Sequence, residues 1–233
     1  PVVVHGGGPA INRTLDRFGI KSEFRNGLRV TDDATIEVVE MVLSGLVNKD
    51  VVGLLNEAGG RAVGLSGKDG RLLFATRLTA AGAEDDIGHV GRIVKVETEV
   101  IDTLCKAGMI PVVAPLAMGP DGDTLNINAD TAAGEIAAAL QAEKLVFLTD
   151  TPGLLEDVKR PDSLIHQLRS GDVATLRTKG VIAGGMIPKV EACLKALDFG
   201  VRKTHIIDGR VKHSMLLEIF TKEGLGTLVT HER

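Results

Sequence analysis

The sequence predicts an α/β fold with a largely parallel sheet, and three observations carry that prediction. Short runs rich in β-branched residues alternate with longer segments of helical period along the 233 residues. Several runs, Val2–Val4 and Ile110–Ala114 among them, are continuous rather than alternating, as strands covered on both faces are. Glycines also close the helical segments where left-handed caps belong, at Gly19, Gly59-Gly60, Gly108 and Gly200.

Each element has its own local reason. Val2–Val4 reads as a buried strand, and Pro9 opens the helix Pro9–Phe18, since the first helical turn accepts proline. Asp32–Leu43 begins with two acidic residues suited to a helix N-terminus and with Thr31 as its cap; Asn48–Ala58 follows. Ala62–Leu65 and Leu72–Thr76 are strands. Ser66-Gly-Lys-Asp-Gly70 between them makes the stretch from Leu65 to Gly88 read as a hairpin. Val94–Ala107 has helical period, and Ile110–Ala114 is the next strand. The Ala-rich helix Ala129–Gln141 carries so little charge that it is expected to be buried on most sides. Leu145–Leu148 is a strand that runs into polar turn residues, and Asp172–Thr178 is a short helix. Met186–Leu197 is a helix whose start is fixed by Pro188. Thr204–Ile207 and Lys212–Phe220 complete the series as strand and helix. No linker, repeat or low-complexity tract interrupts them. One domain is expected, with an N-terminal lobe over residues 1–108 and a C-terminal lobe over 109–233. The chain opens directly on a strand without Met, which reads as a fragment of a longer protein.

Composition excludes several classes. Hydrophobic residues at 44% and charged residues at 25% are the balance of a soluble globular protein. Aromatic residues are only 3%, with no Trp or Tyr, so the stacking platforms of a single-strand nucleic-acid binder are missing. A net charge of −4 gives no general attraction to nucleic acid or an anionic membrane. Cys105 and Cys193 stand far apart and form neither a metal spacing nor a disulfide framework, which points to a reducing compartment. No apolar run reaches membrane length and no signal peptide is recognised. The expected location is the cytoplasm, or a plastid stroma.

Five segments carry candidate chemistry. Val2-Val-Val-His-Gly-Gly-Gly-Pro9 runs a strand through three glycines into a helix start, where free N–H groups and a partial positive charge receive anions. It is not a dinucleotide fingerprint, because Ile11 stands where the last glycine belongs. Walker A fails as well, since Gly67-Lys68 is followed by Asp69 and Ala62 stands at the first glycine position, and a lipase-type oxyanion loop would need a Gly-x-Ser-x-Gly elbow that does not occur. Asn26-Gly-Leu-Arg-Val-Thr-Asp-Asp33 is a turn carrying Arg29, which is either a surface charge or a bidentate carboxylate clamp. Leu125-Asn-Ile-Asn-Ala-Asp-Thr131 gathers Asn126, Asn128 and Asp130 at a helix entrance, more than capping requires. Leu145–Leu154 ends a strand in Asp150-Thr-Pro-Gly, where ligands of open α/β sheets collect. Lys179–Lys189 places Lys189 in the first turn of a helix after two glycines. A cation is unfavourable there by ~0.3–1 kcal/mol unless a polyanion is bound.

In this order the five segments resemble the N-acetylglutamate kinases of the amino-acid-kinase family, over essentially the whole chain. That resemblance implies an αβα sandwich with a mostly parallel open central sheet, ATP with Mg2+, and N-acetyl-L-glutamate as acceptor in arginine biosynthesis. It implies Gly7, Gly8, Arg29, Asn126 and Asn128 as substrate ligands, with Lys189 and Asp130 as the catalytic pair. Asp150, Thr151, Pro152, Gly153, Leu154 and Leu155, with Val181, Ile182 and Ala183, fall at the ATP-binding positions. Thr204–Gly209 and His213–Thr227 are similar to the signature of arginine-inhibited members, with His205, Glu218 and Gly224 lining an L-arginine site. Without that match, Lys212–Phe220 is an amphipathic packing helix and Glu218 lies on its solvated face. A homodimer or higher homo-oligomer is implied, with a PII-type signal protein as a possible partner. The family's first strand, with a Lys and a glycine pair, has no counterpart here, which puts the activity of this chain in doubt. The competing readings are a non-catalytic arginine- or nucleotide-binding remnant, a related kinase acting on another carboxylate, and a hydrolase using His5–Gly8 as an oxyanion loop.

Overall fold

The continuous apolar runs become parallel strands. A computed structural model describes residues 1–25, 27–78, 86–160, 162–220 and 224–231. They fall into two units, Pro1–Ala132 and Ala133–Arg233.

In the first unit the order is β1 (Val3–Val4), α1 (Gly8–Arg17), β2 (Phe24–Arg25), β3 (Leu28–Arg29), α2 (Asp33–Glu40), a π-helical stretch (Met41–Val47) and α3 (Asn48–Glu57). Then come β4 (Ala62–Ser66), β5 (Leu73–Arg77), β6 (Gly91–Val96), α4 (Glu99–Lys106), β7 (Ile110–Ala114), β8 (Leu116–Met118), β9 (Thr124–Asn126) and the start of α5 (Ala129–Ala139). β7 runs parallel to β1 on one side and to β4 on the other, with Val3 opposite Val112 and Leu65 opposite Val113. A second sheet, in the order β6-β5-β8-β9, is mostly antiparallel. Ile11 and Leu15 of α1, Val39 of α2, Leu43 of the π-helical stretch, and Ala114 and Leu116 beside them form one buried cluster.

In the second unit α5 continues into β10 (Lys144–Thr149), β11 (Gln167–Arg169), α6 (Val173–Thr178), α7 (Met186–Asp198), β12 (Lys203–Asp208), α8 (Ser214–Phe220) and β13 (Thr227–Thr230). The sheet order is β10-β12-β13-β11, with β10 parallel to β12, β11 parallel to β13, and β12 antiparallel to β13. Phe147, Leu154, Ile182, Val190, Cys193 and Ile206 belong to its core.

The α/β class holds, and its parallel ladders are where the continuous runs placed them. Gly19, Gly59, Gly108 and Gly200 all have positive φ at helix ends. α5 buries Ala132, Ile136, Ala137 and Ala138, as its low charge requires.

Three local expectations are corrected. Val94–Val96 is not helical; Gly91–Val96 pairs antiparallel with β5, and the helix starts at Glu99. The stretch after Leu65 is not a hairpin between neighbouring strands. Asp69 Oδ2 accepts from Ser66 N and Oγ (2.6 and 2.9 Å) in a tight turn, but β4 joins the parallel sheet and β5 the antiparallel one. Residues 79–85 of that stretch lie outside the described residues. Finally, Thr31 does not cap α2. Asp32 does, accepting from Thr35 N at 2.8 Å. Asn26, read as part of a turn, lies outside the described residues. Among the described residues no helix is long and apolar enough to cross a membrane.

Candidate active site

The glycine loop takes its shape from what packs behind it. Gly7 occupies the cap position of α1 with φ −175° and ψ 19°, outside the left-handed region, so no positive φ demands glycine there. Space does: a β-carbon would stand 2.6 Å from Leu43 Cδ2 and 3.4 Å from Val47 Cγ2, both in the π-helical stretch. At Gly8 a β-carbon would meet nothing within 4 Å, so this residue faces open space at the start of α1. Helix N–H groups and the positive end of the helix dipole are thus left accessible to an anion.

His5, just before the glycines, is a structural residue. Its Nδ1 lies 2.9 Å from Gly6 O and its Nε2 lies 3.1 Å from Asn48 Nδ2. A carbonyl only accepts, so Nδ1 donates and Nε2 accepts from the amide. Burial pushes the His5 pKa down against the opposing effect of the Gly6 carbonyl. Asn48, fully buried at the start of α3, also donates to Val112 O (2.9 Å) and Leu65 O (3.3 Å). One amide therefore ties the end of β1 to β7 and to β4, the other two strands of its sheet.

A cavity of about 190 Å3 opens at the start of α1. Gly7, Gly8, Arg29, Asn126 and Asn128 all line it, so five residues read as substrate ligands come together in one place. Phe24, Leu28, Val90 and Ile127 add apolar wall. Arg29 is only 6% exposed. Its Nη1 donates to Ser22 Oγ and its Nη2 weakly to Gly8 O at 3.4 Å, and its guanidinium carbon sits 4.6 Å from the centroid of the Phe24 ring. Burial lowers its pKa, yet a guanidinium stays cationic at neutral pH. Among the described residues no carboxylate forms an ion pair with it. A buried cation on a cavity wall without a counter-charge is a site for an anionic ligand.

The two asparagines differ in their freedom. Asn128 Oδ1 accepts from Thr131 N (3.0 Å) and so caps α5, leaving its amide nitrogen. Asn126 Nδ2 donates to Thr31 Oγ1 at 3.2 Å. Asp130 stands half-buried in the first turn of α5, outside the cavity lining.

In the second unit, Asp150 to Leu155 follow the carboxyl end of β10. Asp150 is exposed and Thr151 and Pro152 are half-buried. Gly153, with φ +147°, lies so close to Thr227 that a β-carbon would stand 2.7 Å from its Oγ1. Leu154 is buried and its backbone is fully engaged: its N–H donates to Thr227 Oγ1 (2.8 Å) and its carbonyl accepts from Ile165 N. It anchors the turn. Ile182 is likewise core, Val181 is half-buried and Ala183 is exposed. Gly185 caps α7, and Lys189, its fourth residue, is half-buried.

A separate polar cluster lies between β12 and α8. His205 Nδ1 and Glu218 Oε1 are 2.7 Å apart, both residues more than nine-tenths buried. Glu218 Oε2 accepts from Leu225 N (2.6 Å) and Gly226 N (3.2 Å). Burial alone would raise the Glu218 carboxyl, but these two amides and His205 outweigh it and hold the pKa below the usual carboxylate value. Glu218 is therefore not on a solvated face. Gly224, with φ +58°, passes so near that a β-carbon would stand 3.1 Å from Oε2. His205 Nε2 is buried without a hydrogen-bond partner among the described residues.

Residues 1–208 match the amino acid kinase family, a span running from the glycine loop through β12. The chain belongs to the amino acid kinase family. An acetylglutamate kinase of Thermoanaerobacter sp. (strain X514) is 56% identical over 232 residues, covering 100% of this chain and 77% of that protein. The N-acetylglutamate synthase of Neisseria gonorrhoeae, solved with coenzyme A and N-acetyl-glutamate, superposes with a TM-score of 0.84 at 28% identity, over 100% of this chain and 52% of its own. The same synthase solved with coenzyme A and L-arginine gives 0.79 at 28% identity, over 99% and 54%. Family membership bears out the phosphotransferase class and the resemblance read from the ordered loops. Ser22, Phe24 and Thr31, which this amino acid kinase folds around Arg29 and Asn126, carry no signature in the sequence: a serine, a phenylalanine and a threonine near a turn have many ordinary uses.

Proposed function

We propose that this amino acid kinase transfers the γ-phosphoryl group of ATP to the γ-carboxylate of N-acetyl-L-glutamate, giving N-acetylglutamyl 5-phosphate. The observation that carries the reading is the buried Arg29 guanidinium, without an ion pair among the described residues, on the wall of the cavity that also opens at Gly7 and Gly8. Arg29 receives the substrate's α-carboxylate, while Asn126 and Asn128 take its remaining polar groups. No Asp or Glu lines the cavity among the described residues, so a free ammonium would find a cation and no counter-charge. An N-acylated amino acid avoids that conflict, which favours N-acetylglutamate over free glutamate or aspartate.

In the reaction a carboxylate oxygen attacks the γ-phosphorus, the bond to the β–γ bridging oxygen breaks, and ADP departs with its electron pair. The acceptor is already ionised near pH 7, so no general base is required. What the protein supplies is position and compensation of charge on the transferring group. The family resemblance assigns that purpose to the N–H groups around Gly7 and Gly8 and to the Lys189 ammonium, and gives Asp130 the part of an orienting carboxylate. Asp150 to Gly153, Leu155, Val181 and Ala183 hold the nucleotide, and the buried Leu154 and Ile182 pack behind them. Among the described residues no three His, Cys, Asp or Glu side chains converge as a metal site. Mg2+ would accompany the ATP, where it neutralises phosphate charge. The test is ADP release with Mg-ATP, with and without N-acetylglutamate. Release that depends on N-acetylglutamate and collapses in Lys189→Ala supports the kinase; release indifferent to N-acetylglutamate overturns its assignment as acceptor.

A second role, feedback inhibition by L-arginine at His205, Glu218 and Gly224, is favoured by one specific feature. Nδ1 of His205 faces a carboxylate, which only accepts, so this nitrogen carries the proton. In the neutral ring Nε2 is then a buried acceptor without a donor among the described residues, the partner a guanidinium N–H would provide.

A further inference from the structure

Among the described residues the Thr31 hydroxyl bonds to Arg29 and Asn126 alone, two residues that line the cavity. Thr31 is fully buried. Its Oγ1 donates to Arg29 O at 2.8 Å and lies 3.2 Å from Asn126 Nδ2. Its backbone is clamped on both sides: Thr31 N donates to Ile87 O (2.9 Å), and Thr31 O accepts from His89 N (2.6 Å). A β-carbon at Gly88, where φ is +71°, would stand 2.1 Å from Thr31 O, so the neighbouring segment closes tightly over this residue. The capping task a threonine often performs at a helix start is already done by Asp32.

A hydroxyl has one proton, and here that proton goes to the Arg29 carbonyl, which can only accept. Toward Asn126 the oxygen is therefore an acceptor, and the amide must present its NH2 group to it. That choice fixes the orientation of the amide, which shape alone leaves ambiguous. The carbonyl Oδ1 and the second N–H of Asn126 remain for a ligand in the cavity that Asn126 lines.

We infer that Thr31 is a positioning residue that orients the Asn126 amide and couples it to the Arg29 backbone, so that Asn126 offers its carbonyl oxygen to the amide N–H of an N-acyl amino acid. The inference rests on the acceptor assignment proposed above. An amide turned the other way would set two donors against the substrate N–H. Thr31 thus acts on affinity for the acceptor and leaves the nucleotide untouched.

Calorimetric titration of the purified chain with N-acetylglutamate tests this. Thr31→Val, which keeps the shape and removes the hydroxyl, is expected to weaken Kd roughly 3- to 10-fold, the scale of one lost hydrogen bond. Thr31→Ser restores the hydroxyl and is expected to bind within about twofold of the parent. Because Thr31 acts through Asn126, Thr31→Val in an Asn126→Ala background is expected to add nothing further. A general packing defect would not respect either pattern. Unchanged affinity in Thr31→Val, no rescue by Ser, or a fully additive double variant would each overturn the inference while leaving the substrate standing. A parent chain that binds no N-acetylglutamate would remove the acceptor assignment itself, and this inference with it.

Discussion

The Arg29 guanidinium lies over the Phe24 ring, its carbon 4.6 Å from the ring centroid, and the two residues face the same cavity. Phe24 and Arg29 are opposite each other across the β2–β3 pair, so the ring is placed under the cation by strand register. One face of the fork is held by the ring, Nη1 by Ser22 and Nη2 weakly by Gly8 O, and the remaining N–H groups are left to a ligand. Arg29→Lys keeps the charge and loses the planar bidentate geometry and the stack. We expect KM for N-acetylglutamate to rise by roughly 10- to 150-fold, the equivalent of about 1.5–3 kcal/mol for a charged hydrogen bond. KM for ATP should stay near the parent value. Steady-state kinetics with each substrate varied in turn reads both numbers.

The glycine loop separates a packing requirement from a functional one. At Gly7 an added methyl collides with Leu43; at Gly8 it meets nothing. Gly7→Ala is therefore expected to lower stability by about 1–3 kcal/mol, the usual cost of overpacking. Gly8→Ala should stay within about 0.5 kcal/mol of the parent, while turnover falls because the methyl screens the N–H groups at the start of α1. Denaturant melts beside kinetic assays distinguish the two; a Gly8→Ala variant that unfolds early would show that the open space is not open.

Much of this was legible along the chain, and the reason is locality. Helix caps at Gly19 and Gly108, the proline that sets the start of α7, and the strand β7 each depend on neighbours a few residues away. The Gly91–Val96 strand is different, because its identity is fixed by pairing with β5, whereas sequence period alone assigns Val94–Val96 to the following helix. Thr31 shows the same limit at a functional site. Read locally, a threonine before two aspartates is a cap; its hydroxyl is instead committed to Arg29 and to Asn126, 95 residues away. The buried state of Glu218 was equally invisible, since a glutamate on a short amphipathic helix is ordinarily solvated and only the fold brings His205 and two amides to it.

The His5–Asn48 bond makes a pH prediction. Burial lowers the His5 pKa in the folded protein, so folding favours the neutral ring. The stability it contributes is complete above the ordinary imidazole value of about 6.5 and is lost as pH falls from there toward the folded pKa. His5→Gln retains an acceptor for Asn48 without a titrating ring. Its Tm is expected to fall less steeply than the parent's between about pH 7 and 5, as measured by thermal melts in matched buffers. Parallel curves would mean that His5 does not couple folding to protons.

Glu218 makes the opposite kind of test, because its carboxylate is stabilised by partners despite burial. Its folded pKa lies below the usual value, so the stability it contributes is present above roughly pH 4.3 and is lost as pH falls through the folded pKa. Glu218→Gln removes the charge that His205 Nδ1 and the Leu225 and Gly226 amides are arranged to meet. At pH 7 the variant should melt below the parent, and the gap should narrow as the parent's own carboxyl protonates in acid. The same substitution bears on the proposed effector. If L-arginine binds beside the unpartnered His205 Nε2, an uncharged amide in place of the carboxylate weakens the attraction for a guanidinium, and inhibition of ADP release should shift to higher arginine concentration. A variant that loses stability yet keeps the parent's arginine response would assign the cluster to folding alone, since the charge that steadies β12 against α8 would then have no part in recognising the ligand.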